Sequence, residues 1–214
     1  MTIKNFIKRI IGLPENLLAK LKLHRCHIIY GKNLSVKGNL YIRNKGKVSI
    51  GNNVQIISSE KKNPIGGWER TYFQILPNAE LRLEDGCAIS NCAITCANKI
   101  TIGKHVFIGA GVRIYDTDFH SLNPHIRCSE DDRFNVKTAP VEIGDYAFIG
   151  AGSIILKNVK IGKMSVIGAG SVLTCSVPEQ EIWAGNPAKF VRTLNENELQ
   201  GNVCSKRIEN DKNI

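Results

Sequence analysis

Residues 143–173 read Ile143-Gly-Asp-Tyr-Ala-Phe-Ile149-Gly-Ala-Gly-Ser-Ile-Ile155-Leu-Lys-Asn-Val-Lys-Ile161-Gly-Lys-Met-Ser-Val-Ile167-Gly-Ala-Gly-Ser-Val-Leu173. An aliphatic residue returns every six positions without a break, and the residue four places after each is small or β-branched: Ala147, Ser153, Val159, Ser165, Ser171 and Val177. A period of six is neither that of a helix nor the simple alternation of a lone strand. It fits a chain bent into flat faces, each a short strand followed by a corner. The aliphatic then points into a narrow shaft and the small residue sits where the backbone turns. Glycine follows the aliphatic at 144, 150, 162 and 168, where it would permit the backbone angles of a corner. One coil cannot bury its own inner face, so coils must stack. The prediction is an all-β solenoid.

The rhythm extends outward from this stretch. Ile102, Ile108 and Ile114 keep it, as do Leu83 and Ile89; Ile28, Leu34 and Leu40 keep it faintly, and Ile50 to Ile56 in an offset frame. Residues 58–74 break it with Ser-Ser-Glu-Lys-Lys-Asn-Pro and Gly66-Gly67, turn chemistry that predicts an excursion. Residues 115–141 hold no hexad and carry Asp116, Asp118, His120, His125, Glu130, Asp131, Asp132 and Arg133. A long polar loop on a rigid scaffold is where function tends to sit.

At the N-terminus, Ile3, Phe6, Ile7, Ile10 and Ile11, then Leu17, Leu18 and Leu21 after Pro14, follow helical spacing. We expect residues 1–23 to cap the open end of the solenoid or to pack subunits. Contact with a membrane surface is the alternative. After Leu173 the chain crosses Trp183-Ala-Gly-Asn-Pro-Ala188, enters a basic strand or helix with Lys189 and Arg192, and is expected to form a terminal helix over 195–209. The division is a helical segment over 1–24, the solenoid domain over 25–194, and a helix and tail over 195–214.

The formal net charge of +10 suggests an anionic partner: nucleic acid, acidic lipid or a phosphorylated small molecule. The basic residues are dispersed, with no arginine-rich helix, which argues against nucleic acid. Seven scattered cysteines, an odd number, speak for a reducing compartment and against a disulfide framework. Cys87, Cys92 and Cys96 match no zinc spacing and read as small wall residues. No apolar run is long enough to span a bilayer and no signal peptide is evident, so a cytoplasmic location is expected.

The Ile-Gly hexads, the Asp116-Thr-Asp-Phe-His120 loop and the ending Ile167-Gly-Ala-Gly-Ser-Val with Ala184-Gly-Asn-Pro-Ala188 together resemble the hexapeptide-repeat acetyltransferases. The nearest branch is that of the maltose, galactoside, nodulation-factor and capsular-sugar O-acetyltransferases. The resemblance covers residues 81–194 well and 28–57 loosely. It implies a left-handed parallel β-helix and a homotrimer with its sites between neighbouring subunits. It further implies acetyl-coenzyme A as cosubstrate, no required metal, and transfer to a sugar hydroxyl in surface-polysaccharide assembly. N-acetylation of an amino sugar and a non-catalytic scaffold are the alternatives.

The resemblance also implies roles for particular residues. His120 becomes the general base, since an imidazole can take a hydroxyl proton near neutral pH while the oxygen attacks a thioester. From its place in the loop two residues earlier, and not from the resemblance, Asp118 is expected to orient or charge-stabilise the ring. The resemblance points to Asn91 or Ser90 for holding the substrate or the thioester carbonyl. Gly150, Ala151, Gly168, Ala169 and Thr174 are expected to line the pantetheine arm of acetyl-coenzyme A, with Lys189 and Arg192 at its phosphates. Cys175 stands where several relatives carry lysine. His105, His120 and His125 do not reproduce the ligand arrangement of the zinc-holding solenoids.

Overall fold

In the computed structural model, which describes residues 15–63, 65 and 70–200, each hexad becomes one short strand and one corner. The strands fall on three faces. The first face holds β1 (Ile29–Tyr30), β4 (Lys47–Ile50), β7 (Glu80–Leu83), β10 (Lys99–Ile102), β13 (Val141–Ile143) and β16 (Lys160–Ile161). The second holds β2 (Ser35–Gly38), β5 (Gln55–Ser58), β8 (Ala88–Ser90), β11 (Phe107–Ile108), β14 (Phe148–Ile149) and β17 (Val166–Ile167). The third holds β3 (Tyr41–Asn44), β6 (Tyr72–Ile75), β9 (Ala93–Cys96), β12 (Arg113–Tyr115), β15 (Ile154–Ile155) and β18 (Val172–Leu173). Every third strand therefore pairs, always in parallel, and six coils stack as a left-handed parallel β-helix.

The hexad aliphatics line the shaft in register. On the second face Val36, Ile56, Ile89, Ile108, Ile149 and Ile167 follow one another, all buried. On the third face the run is Phe73, Ile94, Ile114, Ile155 and Leu173. Burying each such side chain contributes about 1.5–3 kcal/mol relative to exposure, so the stack supplies the hydrophobic core. Phe73 and Ile75 belong to this core, so the excursion is shorter than expected and lies between β5 and β6. After each aliphatic from Ile143 to Leu173, the position four residues on is buried. There Ser153, Ser165 and Ser171 donate to the carbonyls of Gly150, Pro178 and Gly168, which satisfies their hydroxyls. Cys87 takes the same position and donates to Gly103 O at 3.0 Å, and burial pushes its thiol up to about 11.

The glycines after the aliphatics serve a purpose other than the one expected. Positive φ falls three residues after the aliphatic, at Asn53, His105, Gly111, Tyr146, Gly152, Asn158, Met164 and Gly170. Glycine follows the aliphatic because the next coil approaches closely there. A Cβ on Gly150 would stand 2.5 Å from the Ala169 nitrogen, and one on Gly162 would stand 2.4 Å from that of Glu179.

Helix α1 (Glu15–Arg25) lies against β2, and the Asn16 side chain accepts from Val36 N at 3.0 Å on the open edge of the first coil. It buries Ala19 and Leu23, while Leu17 and Leu21 of the expected stripe are exposed, because the covered face follows the coil end rather than leucine content. The stripe at residues 3–11 lies outside the described residues. At the other end β19 (Glu181–Gly185) pairs in parallel with β17, and β20 (Ala188–Thr193) returns antiparallel to it across a cis Asn186–Pro187 turn. The basic segment is thus a strand. The terminal helix is described only as the short turn Glu196–Leu199, capped by Asn195. Among the described residues no helix is long and apolar enough to cross a membrane.

Candidate active site

The long loop leaves the third face after β12 and returns to the first face at β13. Its base is built from side chains. Asp116 is fully buried and accepts from Ala97 N at 2.6 Å and Asn98 N at 2.8 Å, fixing the loop's first residue to the coil below. A short antiparallel bridge joins Thr117 to Thr138, with Asp118 N donating to Lys137 O at 3.0 Å. Lys157, from the corner after β15, pairs with Asp118 Oδ1 at 2.9 Å and ties the loop to the coil above.

Beyond this base the loop folds on itself. Asn123 caps the short helix α2 (Pro124–Arg127), and Ser129 caps a 3-10 turn over Glu130–Phe134. That turn carries Asp132 back to His120, with Asp132 Oδ2 lying 2.6 Å from His120 Nδ1 while Oδ1 accepts from Ser121 N at 2.7 Å. The hydrogen bonds from His120 and from the Ser121 amide hold the Asp132 carboxyl below the usual carboxylate range. An ionised carboxylate only accepts, so in neutral His120 the proton sits on Nδ1 and Nε2 keeps its lone pair. His120 is two-thirds exposed, at 66%, so that lone pair is reachable. The preceding residue, Phe119, has φ +64 and packs edge-on against Tyr115 at 5.1 Å. A bulky residue in the left-handed region is strained, and it sits where the chain turns to present the histidine.

The expected site residues divide between two edges of the prism. His120, Asp118 and Thr174 belong to the edge between the third and first faces. Asp118 is engaged by Lys157, and the carboxylate that reaches His120 is that of Asp132. On the edge between the second and third faces, the corners Gly109-Ala-Gly111, Gly150-Ala-Gly152 and Gly168-Ala-Gly170 stack directly. Gly152 N donates to Ala110 O and Gly170 N to Ala151 O, each at 2.8 Å. Asn91 continues this edge one coil below and is buried. Its Oδ1 accepts from Ser59 N at 3.1 Å and its Nδ2 donates to Ser59 O at 3.3 Å, so its amide pins the excursion. Ser90 beside it is half-buried.

Lys189 is exposed on β20, but Arg192 forks onto Glu198 with two contacts of 2.8 Å. This fork lowers the Glu198 carboxyl to about 2 and raises the Arg192 guanidinium. His105 stacks on Tyr146 at a corner between the first and second faces, away from His120 and His125. Three features were missed in the sequence. Gly109-Ala-Gly111 repeats the triplets at 150 and 168 and was open to inspection. Asp132 and Lys157 carried no signal, because their partners are distant along the chain.

Fold and site together describe a hexapeptide-repeat solenoid bearing a histidine–carboxylate pair on a projecting loop. Residues 140–175 match the family profile of the bacterial transferase hexapeptide (six repeats). The resemblance read from the sequence extends to curated proteins. The galactoside O-acetyltransferase of Lactococcus lactis is 35% identical over 124 residues, 58% of each chain. Nodulation protein L of Rhizobium meliloti is 45% identical over 100 residues, 46% of this chain and 51% of that one. CapG of Staphylococcus aureus is 45% identical over 95 residues, 44% of this chain and 53% of its own. The chain thus spans about half the length of the curated relatives it matches. Among solved structures, a single-residue mutant of the Bacillus cereus N-acyltransferase AntD, in complex with dTDP-4-amino-4,6-dideoxyglucose and coenzyme A, superposes with a TM-score of 0.62 at 22% identity, covering 84% of this chain and 91% of that one. The Vibrio cholerae acetyltransferase VCA0836, complexed with acetyl-coenzyme A, gives 0.55 at 22% identity over 90% and 85%. At that identity these two establish the fold alone.

Proposed function

We propose that the chain transfers an acetyl group from acetyl-coenzyme A to a hydroxyl of a sugar, with His120 as the general base. The observation that carries this reading is the His120–Asp132 contact on a loop anchored to the coils below and above at Asp116 and Asp118, and closed at its base by the Thr117–Thr138 bridge. Nε2 takes the proton as the acceptor oxygen attacks the thioester carbonyl. The carbon–oxygen bond forms, the carbon–sulfur bond breaks, and the proton passes from Nε2 to the departing thiolate. Asp132 holds the ring and stabilises the imidazolium between those events. The three stacked Gly-Ala-Gly corners leave an edge free of bulky side chains, suited to an extended pantetheine arm, with Lys189 as a further contact to the donor. Thr174 meets the donor only from the neighbouring subunit's His120 edge, and Arg192 only on leaving Glu198. Asn91 and Ser90 border the same edge.

His120 and this edge flank opposite sides of the third face. The reading therefore includes a homotrimer in which one subunit's loop meets its neighbour's edge. Capsule or other surface-glycan precursors in the cytoplasm are the expected setting. N-transfer to an amino sugar is the second reading, since a base on Nε2 can take a proton from an attacking amine as from a hydroxyl. The test is incubation with acetyl-coenzyme A and a panel of nucleotide sugars, amino sugars and oligosaccharides, following thiol release and locating the acetyl group. Release with hydroxyl acceptors is expected. Transfer only to amines would establish the second reading, and no release with any acceptor would leave a scaffold.

A further inference from the structure

A cavity of about 500 Å³ opens at the base of the second–third edge, between α1 and the excursion after β5. Its size falls in the range of small-molecule sites. Ala19 and Leu40 are buried in its floor, with Leu18 half-buried beside them. Among the described residues its walls carry three cations, Lys22, Lys61 and Arg70, against one carboxylate, Glu60. Lys22 Nζ is held by the Leu40 carbonyl and by Asn39 Oδ1, both neutral acceptors, so its charge is positioned without being neutralised. Among the described residues no carboxylate pairs with Lys22, Lys61 or Arg70. Lys61 and Arg70 are exposed and free to close on a ligand. The cavity also joins the edge above it, because Ser59 in its wall is the residue gripped by Asn91.

We infer that this cavity is a diphosphate subsite for the acceptor, which is thereby a nucleotide-linked sugar. The inference rests on the acetyl-transfer reading above. An apolar floor accommodates the flat face of a base or sugar, and the excess of two positive charges among the described lining residues matches a diphosphate. Arg70 offers paired donors that fit phosphate oxygens. Lys61 and Arg70 thus act as specificity residues, and Asn91, through Ser59, connects this wall to the coil that continues toward the donor edge.

The test is calorimetric titration of the full chain with thymidine diphosphate and, separately, with coenzyme A, for the parent and a Lys61→Ala/Arg70→Ala variant. Both side chains are exposed, so the variant should fold, which an unchanged melting temperature verifies. The parent should bind thymidine diphosphate, and the variant should bind it about tenfold or more weakly, as expected for loss of charge-assisted hydrogen bonds. Its affinity for coenzyme A should not change. Absence of thymidine diphosphate binding to the parent would overturn the inference, as would equal affinity in the variant. A parallel loss of coenzyme A affinity would overturn it too, by assigning the cavity to the donor's phosphates. Thiol release is measured separately. A chain that binds thymidine diphosphate through Lys61 and Arg70 yet releases no thiol would keep the subsite and lose the transferase.

Discussion

In the proposed reaction His120 and Asp132 form the pair on which the chemistry turns, and each gives a separable prediction. General bases contribute roughly 10²–10⁴-fold, so His120→Ala should lower kcat by about that factor. The exposed histidine carries no core packing, so the variant should keep its melting temperature and coenzyme A affinity. Turnover near the parent value would place the base elsewhere, with His125 and His105 next to be changed. Asp132→Asn keeps the shape but can donate to Nδ1 and favour the wrong tautomer. It should lower kcat by about tenfold or more with KM little altered, and Asp132→Glu should recover part of the loss. The pH dependence follows from sign. The Asp132 pKa is depressed in the folded chain, so its contribution is present above the unfolded carboxylate value and is lost as pH falls through the depressed one. Glu198 behaves likewise, with its carboxyl lowered to about 2 from 4.5 by Arg192. Carbon-detected titration should find that low midpoint, and Arg192→Ala should return it toward 4.5. An unchanged midpoint in Arg192→Ala would show that the fork does not form in solution.

The repeating element is a strand and a corner, and its two glycine positions do different work. At Gly150 an added Cβ meets the backbone of the coil above, which flexible side-chain motion cannot relieve. Gly150→Ala should therefore destabilise by about 2–3 kcal/mol, the cost of overpacking. At Gly170 the space is open but φ is +71, so Gly170→Ala should cost only about 1 kcal/mol of backbone strain. Denaturant unfolding of the two variants should rank them in that order. A neutral Gly150→Ala would refute close coil approach as the reason for glycine after the aliphatic.

For the molecule as a whole, the separation of the His120 loop from the small-residue edge makes assembly part of the proposed mechanism. The second face also carries an outward apolar stripe, with Phe107 and Phe148 in register and about half exposed. Light scattering should report three chains per particle, and Phe148→Asp should shift the distribution toward monomer and lower turnover with it. A parent chain that is monomeric yet fully active would remove the intersubunit site.

Shaft, coil stacking and loop position were legible along the chain, because a period of six leaves a mark at every turn and a loop shows as its interruption. Even the weak early hexads at Ile28, Leu34 and Leu40 proved to be core. His120 was legible too, being a titratable residue in the one long polar gap of a rigid pattern. Three-dimensional folding had to supply its partner. Asp118 is nearer in sequence but is drawn to Lys157, whereas Asp132 is brought back by a capped 3-10 turn. The role of glycine was hidden for the same reason, since the atom a Cβ would strike belongs to a coil many residues later. A local pattern encodes which way each side chain faces. Contacts between residues far apart in the chain depend on how coils and loops close on one another, and no spacing records that.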